Sequence, residues 1–216
     1  MPKKTGIVFV VIGAVLILSA LLLFFYNQNE DERAGQEAQT ILNDVRTAIT
    51  QRESKEPPSE ATEPTEPEET EPAELSVVMI DGYEYIGCLS IPDLALELPV
   101  MADWDYDRLK LAPCRQFGST VTDDMVIAAH NYKRHFGSLG QLELGASITF
   151  TDMDGHAISY LVEKSATIDP KAVDAVQNSG YDLVLYTCTY SGSNRVTLFC
   201  DRENSVQTEG DQNGRK

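Results

Sequence analysis

The sequence is short of positive charge. Its 216 residues carry 17 Lys and Arg against 34 Asp and Glu, a formal net charge of −17. A nucleic-acid binder needs a basic face to meet phosphates, so that class is excluded. Broad adsorption to an anionic lipid surface is disfavoured for the same reason. Histidine is scarce as well. His130, His135 and His156 are the only three, and no ordered Cys, Asp or Glu spacing accompanies them. A zinc site therefore finds no support, and neither metal nor cofactor is expected. The four cysteines, Cys88, Cys114, Cys188 and Cys200, form no CxxC pair. They are too few for a small secreted scaffold knitted by disulfides. A bridge among Cys88, Cys114 and Cys200 stays open, with burial of Cys88 and Cys200 in strands the simpler reading.

What the N-terminus does have is one long apolar run. Lys3 and Lys4 precede Gly6 to Tyr26, which is broken only by small or mildly polar residues such as Ser19. About 20 helical residues span a bilayer core, whereas a signal-peptide core is nearer 7–15. The run ends in Leu21-Leu22-Leu23-Phe24-Phe25-Tyr26 without a small-residue cleavage site. It therefore predicts an uncleaved anchor at 6–26 with a cytoplasmic tail at 1–5. The two lysines predict that the remainder lies outside the cell.

Beyond the anchor, Ala34, Ala38, Ile41, Leu42, Val45, Ala48 and Ile49 recur at helical spacing. This predicts a membrane-proximal helix over 27–52 that packs on the domain. Residues 53–74 alternate Pro with Glu and Thr, a composition that cannot bury enough apolar surface to fold. They read as a disordered acidic linker, physically a stalk. A globular domain is expected over 75–204 and a disordered polar tail over 205–216.

Within the domain, apolar runs are short and bounded by turn residues. Strands are predicted at Tyr85–Ile91, Leu96–Val100, Met125–Ala129, Ser147–Phe150, Ala157–Ile168, Leu183–Thr187 and Val196–Asp201. A tight turn is expected at Asp152-Met153-Asp154-Gly155, and a short helix near Lys171–Gln177. The fold class is mainly β, a closed or nearly closed barrel. Asp103-Trp104-Asp105-Tyr106-Asp107 has the alternating acids of a calcium loop. However, Arg108 replaces the required Gly and Cys114 the closing Glu, so a solvated loop is expected.

Three reactive side chains fall at strand ends, where loops add function to a rigid frame. Cys188 follows Leu183–Thr187. Arg195 lies seven residues on, across the turn-rich Tyr190–Asn194. His130 follows Met125–Ala129. A thiol titrates near ~8.5 and only its thiolate attacks carbonyls well. A neighbouring imidazolium and guanidinium both favour the thiolate, and the histidine can protonate a leaving amine and later deprotonate an incoming one. An arginine stays cationic and can hold an oxyanion.

The local sequences sharpen this. Leu185-Tyr186-Thr187-Cys188, followed by Arg195 and Val196–Phe199, resembles the TLxTC…R signature of sortases. Ala128-Ala129-His130-Asn131 resembles the segment carrying the sortase histidine. Phe136–Leu139, Leu144–Phe150, Gly87–Pro92 and Leu98–Val100 resemble further family stretches in the same order. Val184 and Ala129 depart from the usual Thr and Gly, and neither position supplies the reacting group. The resemblance covers about residues 80–202 and implies an eight-stranded sortase-type barrel with short helices.

It also implies a cysteine transpeptidase that cleaves an LPxTG-like sorting signal of secreted surface proteins. The acyl group then passes through a thioacyl enzyme to an amine of peptidoglycan or a precursor. Cys188 is then the nucleophile, His130 the general acid/base, and Arg195 the holder of backbone and oxyanion. Thr187 and Thr189 are expected at the substrate or oxyanion site, Thr189 through its backbone N–H. A membrane-tethered cysteine peptidase that only hydrolyses, or a non-catalytic barrel on a stalk, are the alternatives. The lack of a second span and of a separate lid motif argues against a pilin-polymerising class. The helix ahead of the barrel leans toward a class B-like arrangement, although the segment after Cys188 is short for it.

Overall fold

The structure is a computed structural model that describes residues 2–54 and 75–203. The tail at 205–216 and all but the start of the linker lie outside the described residues.

One helix, α1 (Pro2–Glu53), runs unbroken for 52 residues. The expected anchor and membrane-proximal helix are therefore one element. Its first part is long and apolar enough to cross a membrane, and its apolar window is unburied among the described residues. Its second part turns the predicted stripe onto the domain: Ala34, Ala38, Leu42, Val45 and Ile49 are all buried. Leu42, Val45 and Ile49 pack with Tyr85, Met101 and Met153, while Ala38 joins the main core. Each such side chain taken out of water contributes roughly 1.5–3 kcal/mol for a Val, Leu or Ile.

Nine strands follow: β1 (Val78–Ile80), β2 (Tyr83–Ile91), β3 (Leu96–Met101), β4 (Cys114–Phe117), β5 (Met125–Ala128), β6 (Ser147–Asp152), β7 (Ala157–Ile168), β8 (Leu183–Cys188) and β9 (Arg195–Arg202). Their order is β1-β2-β3-β4-β5-β8-β9-β7-β6, and β6 pairs back onto β2. That last pairing closes an eight-stranded barrel from β2 round to β6, leaving β1 as a short extra strand on β2. The barrel is mixed, with β3–β4 and β5–β8 parallel and the other neighbours antiparallel. Closure removes the open edges that invite aggregation. Gly87 makes the seam possible. Its φ is +149°, and a Cβ there would lie 2.1 Å from the Thr151 carbonyl oxygen across the β2–β6 pair.

Alternation along the strands sorts the side chains into two sets. In β8, Leu183 and Leu185 face the barrel core with Ile127 and Leu198. Val184 and Tyr186 face outward, onto Val126, Phe199 and Val176. Val176 belongs to α2 (Asp174–Gln177), a four-residue helix shorter than the segment expected there.

The β6–β7 connection turns at Gly155, as expected from Asp152–Gly155, and Ala157 starts the return strand after a four-residue link. Asp152 Oδ1 accepts from the N–H groups of Asp154 and His156, which fixes the turn. The Arg52 guanidinium donates to the Val77 carbonyl at 2.7 Å and to Asp154 at 3.1 Å, so both flanks of the linker meet on the domain. The domain docks on α1 before the linker begins.

Candidate active site

Cys188 closes β8, the central one of three neighbouring strands. On one side β9 runs antiparallel, and Arg195 is the direct cross-strand partner of Cys188. On the other side β5 runs parallel, with Val126 opposite Val184 and Ala128 opposite Tyr186. β5 ends at Ala128, and its register carried two residues past the strand sets His130 opposite Cys188. Partners in a ladder share a face. Cys188 and Arg195 take the outward face, the face of Val126, Val184 and Phe199, and the same alternation sets His130 on it. Neighbouring strands lie about 4.8 Å apart.

The row continues into a cleft of about 210 Å³ lined by Trp104, Tyr106, Gln116, Val173, Tyr186 and Arg195 among others. Tyr186 forms its floor two residues before Cys188. Its hydroxyl donates to the Gln116 side-chain carbonyl, and burial pushes its pKa up to about 12. Trp104 and Tyr106 meet edge to face at 4.8 Å on the rim. The cleft thus combines aromatic and aliphatic walls with two charged groups, Asp169 and Arg195. Gln116 and Trp104 were not flagged from sequence, because they lie on β4 and on a loop far along the chain from the cysteine.

The four thiols are all free, and only Cys188 is not buried. Burial pushes Cys114 and Cys200 up to about 12 and raises Cys88 as well. Those three are small core residues and poor nucleophiles at neutral pH. His130 is half-buried, and burial lowers its pKa, with the nearby Lys110 ammonium adding to the effect. At neutral pH its imidazole is uncharged and able to accept a proton. Its Nδ1 is buried without a hydrogen-bond partner among the described residues. The ring instead stacks on Tyr132, with centroids 4.0 Å apart and planes 20° from parallel. Arg195 donates through Nη1 to the Gly192 and Asn194 carbonyls, each at 3.3 Å, so the guanidinium also pins its own loop.

Thr187 and Thr189 sit differently from the sequence expectation. Thr187 is buried on the inward face, and its hydroxyl donates to the Ala129 carbonyl at 2.9 Å. That bond ties the end of β8 to the end of β5, one residue before each reacting side chain. The Thr189 N–H donates to the Asn194 carbonyl at 2.9 Å, and the Thr189 hydroxyl accepts from the Asn194 N–H. In this arrangement neither group of Thr189 is free for an oxyanion. Both threonines brace the row. The Asp103–Asp107 segment is a loop whose acids are engaged, Asp103 with Arg108 at 3.3 Å and Asp107 with Lys110 at 2.7 Å.

A family model, the Sortase domain, matches residues 89–203, just over half the chain. The chain belongs to the sortase family. Its fold is that of solved sortases. Sortase C of Streptococcus pneumoniae is 23% identical over 82% of this chain and 95% of that one, with a TM-score of 0.52. Sortase C1 of Streptococcus suis is 22% identical over 59% and 77%, with a TM-score of 0.50. Sortase C1 of Streptococcus agalactiae is 23% identical over 58% and 70%, also at 0.50. At these identities the likeness is one of fold and does not assign a class. Among curated proteins, none matches the chain. Family and fold together are those of a sortase-like transpeptidase in general.

Proposed function

We propose that this sortase is a membrane-anchored cysteine transpeptidase acting on C-terminal sorting signals of secreted surface proteins, of the LPxTG-like kind. The observation that carries the reading is the row of His130, Cys188 and Arg195 across adjacent strand ends, opening onto an aromatic cleft.

Cys188 Sγ attacks the scissile carbonyl carbon while its proton moves to the neutral His130 imidazole. The oxygen becomes an oxyanion beside the Arg195 guanidinium, which stays charged throughout. Collapse breaks the C–N bond, and the leaving amine takes the proton from His130. The thioacyl enzyme is then attacked by an acceptor amine, of peptidoglycan or a precursor, whose proton passes to His130. The thiolate departs and regains that proton. No cofactor or metal enters these steps. Residues 6–26 serve as a single membrane span, with Lys3 and Lys4 inside and the barrel on the outer side.

The test is product analysis on a sorting-signal peptide with and without an added amine such as triglycine. Wild-type protein should yield amine-captured product, and Cys188→Ala should yield none while keeping its melting temperature. Turnover retained in Cys188→Ala would sink the assignment. Hydrolysis without amine capture would leave a peptidase in its place.

A further inference from the structure

The loop that carries His130 is gripped from outside the barrel. Inside the loop, the Phe136 N–H donates to the His130 carbonyl, and the His135 and Gly137 N–H groups donate to the Tyr132 carbonyl. These bonds shape the backbone, but none reaches the imidazole. What touches the imidazole is the Tyr132 ring. Two residues on, Arg134 is held by α1 at three points. Its N–H donates to Asp31 Oδ1 at 3.0 Å. Its Nη2 donates to both carboxylate oxygens of Glu32 at 3.1 Å. Its aliphatic stem lies flat on Gly35, where a Cβ would come within 2.8 Å of Arg134 Cγ. Exposed ion pairs contribute little stability, so this triple grip on one loop residue is not explained by folding alone.

We propose that Asp31, Glu32 and Gly35 of α1 are positioning residues for the reaction, holding Arg134 so that Tyr132 keeps the His130 imidazole stacked and aimed along the strand-end row. The inference rests on His130 acting as the acid/base. It makes the stretch just past the apolar run part of the support of the active site. A catalytic group displaced by about 1 Å can lose on the order of 100-fold in rate, so a loosened loop should be felt in turnover.

The experiment uses the full chain in detergent micelles with 13Cε1-histidine labelling, which gives one signal for each of three histidines. His130 should show the ring-current shift of an imidazole stacked on Tyr132, a shift that Tyr132→Leu removes. In Asp31→Ala/Glu32→Ala the His130 signal should move toward the unstacked position. The kcat on a sorting peptide should fall about tenfold with KM changed less than about twofold. Asp31→Asn/Glu32→Gln keeps the acceptors and should restore both readouts. Gly35→Leu, which displaces the Arg134 stem without altering charge, should reproduce the loss. An unmoved His130 signal in the double alanine variant, or an unchanged kcat, would overturn the inference. If wild-type protein turns over no sorting peptide, the functional reading fails on its own and the resonance alone decides the grip.

Discussion

At the scale of single residues, Arg195 and His135 make opposite uses of their surroundings. Arg195 stands beside Cys188 with its charge at the cleft mouth. Arg195→Ala should lower kcat about 10²–10³-fold, as for loss of an oxyanion donor, with KM rising less. Arg195→Lys should recover only part of this, since a single ammonium cannot both pin the loop and reach the substrate. His135 is fully buried under α1, and burial lowers its pKa to about 4. The backbones of Ala34 and Leu109 approach its ring without a hydrogen bond of normal geometry. The unfolded chain binds a proton near pH 6.5, whereas the folded chain does not until about pH 4. The stability that His135 leaves intact above pH 6.5 is therefore lost as the pH falls toward 4, by about 3 kcal/mol in full. Thermal melts from pH 7 to 4.5 should fall more steeply for wild type than for His135→Leu. The strand-end places of Cys188 and Arg195 were legible, because Cys188 follows an apolar run and Arg195 precedes one, and each run is a strand. The roles of Thr187 and Thr189 were not, because which hydroxyl or N–H is already bonded depends on ladder register and on the Thr189–Asn194 closure.

At the scale of elements, the long alternating or apolar strands were readable within a residue or two, and Ala157–Ile168 to the residue. β1 and β4 were missed for a physical reason. β1 has three residues, and β4 is Cys114-Arg115-Gln116-Phe117, whose polar pair carries no burial signature. β4 holds its place through pairing, and Arg115 donates to the Ala102 and Gly118 carbonyls across the neighbouring loops. The packing stripe of α1 was plain in the spacing of Ala34 to Ile49, but its continuity with the apolar run was not. Only the absence of Gly, Pro or a capping break between Tyr26 and Ala34 hinted at one helix. Leu42 is the largest fully buried side chain of that stripe. Leu42→Ala should cost about 2–5 kcal/mol by urea unfolding, with catalysis by the remaining folded protein unchanged.

At the scale of the whole molecule, α1 and the barrel pack against each other. The acidic Pro-rich composition of 53–74 suggested a spacer, and composition alone could not reveal that its two flanks return to the same spot. Arg52 joins them, bonded at once to the strand side at Val77 and to the β6–β7 turn at Asp154. Leu42, Val45 and Ile49 bury themselves beside that junction. The covalent path from anchor to barrel and the path of force are therefore different. A single protease cut introduced within 55–74, for example at an inserted recognition site, should leave the barrel sedimenting with membranes and still turning over substrate. Release should require denaturant, or Leu42→Ala combined with loss of Arg52. On the proposed anchoring, a chain cut there behaves as two pieces held by an apolar seam, and that seam rather than the peptide chain governs release from the membrane.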